Sequence, residues 1–156
     1  LTMSDRVAVL KDGRLVQVDT PEHLYDRPCN AFVPSFIGEA TLLPVSRVGA
    51  DAVALGDAVL RTAYPLPHAQ RLLLAVQTEK LVIDAGDAQP DANRFTARVT
   101  EVLYQGESLR VFATLPDGTT VSLRQPGNHD ARQRVPPPGA SVSVALSPRD
   151  TIVVPA

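Results

Sequence analysis

The pattern of apolar and polar positions changes near residue 40. Before that point, the segment RVAVLKDGRLVQVD (residues 6–19) places two apolar stretches on either side of Asp12-Gly13. Asp-Gly between apolar stretches is a strong signal for a β-hairpin, because the tight turn needs positive φ at both central residues. We therefore predict a hairpin over residues 6–19.

Two short helices are predicted after this hairpin. In TPEHLYDRP (residues 20–28), Thr20 is a favourable N-cap and the final proline stops the helix. In NAFVPSFIG (residues 30–38), Asn30 is a candidate cap for a second helix. Pro34 is compatible with that helix only if it lies in the first turn, where its missing N–H is not needed.

From Ala40 onward, the pattern alternates with a period of two and predicts about ten short strands. The clearest stretch is residues 95–126, in which Leu109, Val111 and Ala113 alternate with positions that can face water. The segment GNHDARQRVPPPG (residues 127–139) is predicted to be a polar loop. Many short strands separated by turn signals favour one or two small β-barrels over a parallel sheet.

Composition excludes several classes of protein. The 156 residues suit one compact domain, or a small domain with an appended element. A net charge of −2 and an aromatic fraction of 4% argue against nucleic-acid binding, which uses basic and aromatic surfaces. A single cysteine, Cys29, excludes an internal disulfide and a cysteine-based metal site. The sequence also lacks an apolar run of the ~18 residues that a membrane-spanning helix needs.

No group of residues in the sequence indicates catalysis. The phosphate-binding pattern G-x-x-x-x-G-K-[ST] is absent, and so is the G-x-S-x-G pattern of serine hydrolases. His23, His68 and His129 are far apart in the sequence, and no metal-ligand pattern surrounds them. We therefore predict no catalytic, cofactor-binding or metal-binding residue in this chain.

Several segments of the sequence resemble segments in the ATP-binding subunits of ABC transporters. The segment TMSDRVAVLKDGRLVQVDTPEHLYDRP (residues 2–28) is similar to the end of their nucleotide-binding domain, and FIGEATLLP (residues 36–44) to the passage that follows it. The subgroup that the chain resembles most is the importers of the spermidine/putrescine type. LLLAVQTEKLVI (residues 72–83) resembles a family strand followed by R-P-E, but here Gln77-Thr78-Glu79 replaces those three residues.

The resemblance implies two parts. Residues 1–38 would be the C-terminal remnant of a nucleotide-binding domain, formed by a small β-hairpin and short helices. Residues 39–156 would be a mainly β regulatory domain of the TOBE type, built of OB-like β-barrels. ATP and Mg²⁺ would be bound by the missing upstream domain of the parent protein, so this fragment would hold no cofactor and would not itself be catalytic.

The function that the resemblance implies is that of a C-terminal regulatory and dimerisation domain in an importer's ATP-binding subunit. Polyamines are the expected solute, with ferric iron or sugars as the alternative. The implied partners are a second copy of the chain and the transmembrane permease subunits, without nucleic acid, on the cytoplasmic face of the cell membrane. A different hypothesis stays open, in which the β domain senses a small oxyanion.

The candidate regulatory site is the loop YQGES between two predicted strands. Its residues are Tyr104, Gln105, Gly106, Glu107 and Ser108. The resemblance implies that this loop belongs to the regulatory domain and lies near a ligand or a subunit contact. The alternative is that the loop only joins two strands, as a turn or a bulge does.

The resemblance also has a consequence for the predicted hairpin, whose apolar residues would pack on the upstream domain. We expect them to be poorly covered, or buried against a second copy or the β domain. These residues are Val7, Val9, Leu10, Leu15 and Val18. Just before them, Ser4 with Asp5 and Arg6 is expected to form a local cap and salt bridge.

Overall fold

Residues 5–156 are described by the computed structural model; Ser4, with its predicted capping role, lies outside them. In this part of the chain, the strands form a two-stranded sheet and two five-stranded sheets, all with antiparallel neighbours. The prediction of a mainly β fold is confirmed. None of the helices within residues 5–156 is long and apolar enough to cross a membrane.

The first part, which we call the N-terminal unit (residues 5–37), contains the predicted hairpin and two helices. Its elements are β1 (Val7–Lys11), β2 (Arg14–Asp19), α1 (Pro21–Asp26) and α2 (Phe32–Phe36). Asp12 and Gly13 have φ of 52° and 76°, as the predicted hairpin turn requires. The Thr20 hydroxyl accepts the His23 N–H at 3.2 Å and caps α1. Pro34 lies in the first turn of α2, where it is tolerated.

The N-terminal unit has a small apolar core of its own. Four buried residues form it: Val9, Leu24, Val33 and Ile37. The expectation for Val9 was therefore wrong, because α1 and α2 cover this residue within its own unit. Leu10 and Leu15 are 59% and 60% exposed and Val18 is 36% exposed, so the prediction of poor cover is confirmed for these three.

The remaining strands form what we call the β unit (residues 40–156). Its strands are β3 (Ala40–Arg47), β4 (Ala52–Leu55), β5 (Ala58–Arg61), β6 (Leu72–Gln77), β7 (Val82–Ile83), β8 (Asn93–Gln105), β9 (Ser108–Thr114), β10 (Thr120–Pro126), β11 (Ser141–Leu146) and β12 (Ile152–Pro155). One sheet has the order β12-β6-β3-β4-β5, and the other has the order β10-β9-β8-β11-β7.

Both five-stranded sheets contribute to one continuous apolar core. Leu74 in β6 and Leu60 in β5 belong to the same buried cluster as residues of the other sheet. Leu109, Val111 and Ala113 are fully buried in that cluster, as their alternation predicts. The outward positions of β9 remain partly exposed, so the core lies on one face of each sheet.

A buried polar network also joins the two sheets. The Asn93 side chain at the start of β8 accepts the Arg61 N–H at 2.8 Å and donates to the Arg61 carbonyl at 2.7 Å. It also donates to the Thr151 hydroxyl at 2.9 Å, while the Thr62 hydroxyl donates to the Thr151 carbonyl at 2.7 Å. These bonds satisfy buried polar groups that would otherwise destabilise the core.

The segment predicted as a polar loop contains a helix, α3 (His129–Arg134). The Asn128 side chain caps it by accepting the Ala131 N–H at 2.8 Å, and Asp130 and Arg134 suit the two ends of the helix dipole. Arg134 also binds Asp87 at 2.7 Å. The sequence did not predict this helix. It has only six residues and no buried side chain, so it shows no apolar periodicity.

Candidate functional site

The predicted regulatory loop forms the tip of the β8–β9 hairpin. Gln105 pairs with Ser108, which leaves Gly106 and Glu107 as the two turn residues. Gly106 has φ of 67°, in keeping with a type II′ turn that has glycine first. All five residues from Tyr104 to Ser108 are contiguous at the surface, and only Ser108 is half-buried.

The hairpin tip is held from two directions. The Gly127 N–H donates to the Glu107 carbonyl at 2.7 Å, and a Cβ atom on Gly127 would lie 2.8 Å from the Gly106 oxygen. Because no side chain fits there, glycine is required at position 127. The Arg132 guanidinium of α3 lies 5.3 Å from the centre of the Tyr104 ring. These contacts define an exposed and supported hairpin, and its regulatory role stays a prediction.

A second cluster lies where the chain enters the β unit, and sequence analysis did not find it. We call it the hinge cluster, with the members Glu39, Thr78, Glu79, Arg110 and Arg124. The Glu39 carboxylate accepts hydrogen bonds from Arg110 at 2.5 Å and from the Thr78 hydroxyl at 3.4 Å. Arg110 lies on β9, two residues beyond the predicted loop, so the start of β3 is tied to the opposite sheet.

Thr78 makes a contact that the proline of R-P-E could not make. The Thr78 N–H donates to the Glu39 carbonyl at 3.1 Å, and a proline at this position would have no N–H to donate. The Thr78 carbonyl accepts the Arg124 N–H at 3.0 Å, and Arg124 also faces Glu79 at 3.8 Å. The departure from the family pattern therefore adds the Thr78 N–H and hydroxyl to the hinge cluster, while Glu79 matches the glutamate of R-P-E.

Gly38 precedes the hinge cluster and passes close to a buried amide. It has φ of 119°, and a Cβ atom there would lie 3.4 Å from Oε1 of Gln77 and 3.7 Å from the Tyr25 ring. Gln77 is buried, and its Oε1 atom has no hydrogen-bond partner within residues 5–156. A side chain at position 38 would be strained by its positive φ, which favours glycine there.

A groove of about 430 Å³ runs along the solvent side of β8. Arg98 lies in it, with Thr114 of β9 and Ser141 of β11 as its cross-strand neighbours. Arg98 makes no ion pair with any residue of the described range 5–156. A guanidinium with hydroxyl groups on both sides can bind an anion.

The described residues do not fit an ATP–Mg²⁺ site. The sequence has no phosphate-binding loop, and within residues 5–156 no three His, Cys, Asp or Glu side chains could hold a metal ion. His23 binds Asp19 at 3.0 Å, and His129 lies 2.9 Å from the Gln133 amide. These two histidines therefore have local partners.

The Glu39–Arg110 pair should make stability depend on pH. The hydrogen bond from Arg110 is the largest reason why the pKa of Glu39 lies below its ordinary value. The pair contributes its full stabilisation of the folded chain above pH ~4.3, the pKa of a glutamate in the unfolded chain. This contribution is lost as the pH falls through the lower pKa that Glu39 has in the folded chain. Because Glu39 is half exposed, Glu39→Gln should cost at most about 1 kcal/mol at neutral pH.

Urea unfolding between acidic and neutral pH measures this effect. The stability difference between the parent chain and Glu39→Gln should shrink once Glu39 is protonated. Glu101→Gln is the matched control, because Glu101 is exposed and makes no ion pair within residues 5–156. A difference that stays constant across the whole pH range would contradict the assigned role of the pair.

The sequence model of the TOBE domain matches residues 74–154. This region begins in β6 and ends in β12, and it includes the β8–β9 hairpin and four of the five members of the hinge cluster. Glu39 lies before it. The matched region covers more than half of the chain.

Curated relatives extend the match beyond that region. The spermidine/putrescine import ATP-binding protein PotA of Rubrobacter xylanophilus is 38% identical over 99% of this chain and 42% of its own length. The sulfate/thiosulfate import ATP-binding protein CysA 2 of Chromobacterium violaceum is 38% identical over 71% of this chain and 30% of its own length. The sn-glycerol-3-phosphate import ATP-binding protein UgpC of Cereibacter sphaeroides is 35% identical over 86% of this chain. The chain spans less than half the length of these relatives.

Among solved structures, the cytoplasmic molybdate-binding protein ModG with molybdate bound is similar in fold. The TM-score is 0.61 at 17% identity, over 74% of this chain and 96% of that protein. This likeness agrees with the predicted OB-like β fold. The match of the TOBE model over more than half of the residues shows that the chain belongs to the TOBE domain family.

Proposed function

We propose that this chain is the C-terminal part of the ATP-binding subunit of an ABC importer. The observation that carries the proposal is the match to PotA over 99% of the chain, at 38% identity. In this proposal, residues 1–38 end the nucleotide-binding domain and residues 39–156 form the TOBE regulatory domain. ATP hydrolysis then belongs to a region that these residues do not include.

The structure of the N-terminal unit supports this division. Its core of four buried residues is separate from the larger core of the β unit. Leu10, Leu15 and Phe36 are each more than half exposed, although all three are large apolar side chains. Such a surface suits burial against the rest of a nucleotide-binding domain, because exposed apolar patches commonly mark contact sites.

The role proposed for the β unit is regulation and dimerisation. A β domain on each of two subunits can hold the pair together while the ATP-binding halves open and close. It can also shift that equilibrium, provided that a partner or solute binds one state more tightly than the other. The further partners are the permease subunits, which would place the protein at the inner face of the cell membrane.

Polyamines are the proposed solute, and the names of the relatives support this choice. PotA proteins of several bacteria match most of this chain, and they are named as spermidine/putrescine importers. Relatives named for sulfate or sn-glycerol-3-phosphate import also match at similar identity. An importer of ferric iron or sugars is the alternative.

Sedimentation tests the dimerisation part of the proposal. The chain should self-associate at tens of micromolar into a two-fold dimer, because closed symmetric pairs are the commonest form of homo-oligomer. The measurement is sedimentation velocity over a concentration series. A strict monomer over that range would contradict dimerisation by these residues, and the family assignment would be unaffected.

A second candidate function is the sensing of a small oxyanion. The observation that favours it is Arg98, which has hydroxyl side chains on both neighbouring strands and no ion pair in the described residues. ModG, whose fold is similar, is named as a molybdate-binding protein.

Calorimetry with molybdate and sulfate tests this second candidate. Binding at the groove should release heat with the parent chain and be lost in Arg98→Gln, because the variant keeps the size of the side chain but not its charge. Arg71→Gln is the matched control, since Arg71 is exposed and lies outside the groove. The absence of heat with both anions would remove this candidate.

A further inference from the structure

A small cavity lies beside Gln77, between the end of α1 and the strands β6 and β12. Its volume is about 10 Å³, which suits one occupant of the size of a water molecule. Gln77 lines the cavity and is only 8% exposed, and its Oε1 atom has no hydrogen-bond partner within residues 5–156. A buried acceptor of this kind needs an occupant that donates a hydrogen bond or carries positive charge.

Two carboxylates line the same cavity. Asp26 is the last residue of α1, and Asp150 lies just before β12. Both residues are half-buried, and neither makes an ion pair within residues 5–156. Burial is the largest reason why the pKa of Asp150 lies above its ordinary value, and the attraction of Lys80 does not compensate for it. The cavity therefore contains negative charge that no side chain neutralises at close range.

The positive side chains beside the cavity do not reach the buried oxygen. Lys80 is half-buried and Arg149 is exposed, and neither donates a hydrogen bond to Oε1 of Gln77. The family pattern R-P-E has an arginine where this chain has Gln77, whose amide is neutral. The cavity of this chain therefore lacks the tethered positive charge of that pattern and keeps two carboxylates around the position.

We propose that this cavity binds one monovalent cation of about the size of K⁺, between Oε1 of Gln77 and the carboxylates of Asp26 and Asp150. Amide, carbonyl and carboxylate oxygens are the ligands that hard cations take in proteins. Within residues 5–156 no three acidic, histidine or cysteine side chains could hold a metal ion, so the site does not suit a divalent ion. The proposal goes beyond the importer function, because the site needs neither ATP nor a permease.

Urea unfolding at constant ionic strength tests the proposal. The parent chain should unfold at a higher urea midpoint in potassium chloride than in choline chloride, because the choline cation is too large for the cavity. By mass action, K⁺ at ten times its Kd should lower the unfolding equilibrium constant about elevenfold. Equal midpoints in the two salts at every concentration would overturn the proposal, since stability would then depend on ionic strength alone.

Variants locate the effect at the cavity. Gln77→Arg should abolish the difference between the two salts, because a tethered guanidinium takes the place of the cation. Asp150→Asn should reduce the difference by removing one carboxylate, and it serves as the test if Gln77→Arg does not fold. Asp57→Asn is the matched control, since Asp57 is exposed, makes no ion pair in the described residues and lies outside the cavity. It should keep the difference seen in the parent chain.

Crystals grown in rubidium chloride distinguish a cation from water. Rb⁺ is close to K⁺ in size and should give an anomalous peak beside Oε1 of Gln77, whereas water gives none. An ordered peak there without anomalous signal would mean water only and would overturn the proposal. A salt difference that persists unchanged in Gln77→Arg or in Asp150→Asn would also overturn it, because the cation would then bind elsewhere on the chain.

Discussion

The structure depends on the burial of one face of each five-stranded sheet against the other. Each sheet alone would expose a continuous apolar surface, and the shared core hides both surfaces at once. Leu74 of one sheet and Val99 and Leu123 of the other are fully buried there. The Asn93 network adds directional bonds across the same junction. The ends of strands that extend beyond this core are exposed to solvent.

The tip of the β8–β9 hairpin is such an exposed end. β8 is buried on alternate residues as far as Val99, where a bulge interrupts its pairing with β9. Beyond the bulge, β8 residues lose most of their cover, and the strand carries Tyr104 into solvent. β9 returns from this tip into the core and presents Arg110 to Glu39 on the way. The first residues of β9 therefore connect the exposed hairpin tip to Arg110 of the hinge cluster.

Much of this architecture could be predicted from sequence, because its signals are local. The alternation around Val111, the Asp12-Gly13 turn and the Thr20 cap each depend on residues close in the chain. The Glu39–Arg110 pair joins residues 71 positions apart, and only the folded sheets bring them together. Val9 was misjudged for a related reason, since its cover comes from two helices whose packing direction the pattern does not reveal.

The sequence shows that Gln77-Thr78-Glu79 departs from the R-P-E pattern of the family, but it does not show which contacts this change creates. Where the family pattern has proline, Thr78 supplies an N–H that binds the Glu39 carbonyl, and only the folded chain brings these two residues together. The contact of the Arg27 guanidinium with the Tyr64 ring, at 5.1 Å from the ring centre, could not be predicted from the sequence either. Contacts of this kind depend on how two separately folded pieces meet, and neither piece encodes them alone.

The N-terminal unit and the β unit have separate cores and meet at the polar hinge cluster. Native-state hydrogen exchange in low denaturant tests this division, because it separates local openings from global unfolding. We expect amides of β1 and β2 to exchange through an opening with a small denaturant dependence, while those of β8 and β9 exchange only with global unfolding. One shared denaturant dependence for all four strands would contradict this division, since the chain would then open as a single unit.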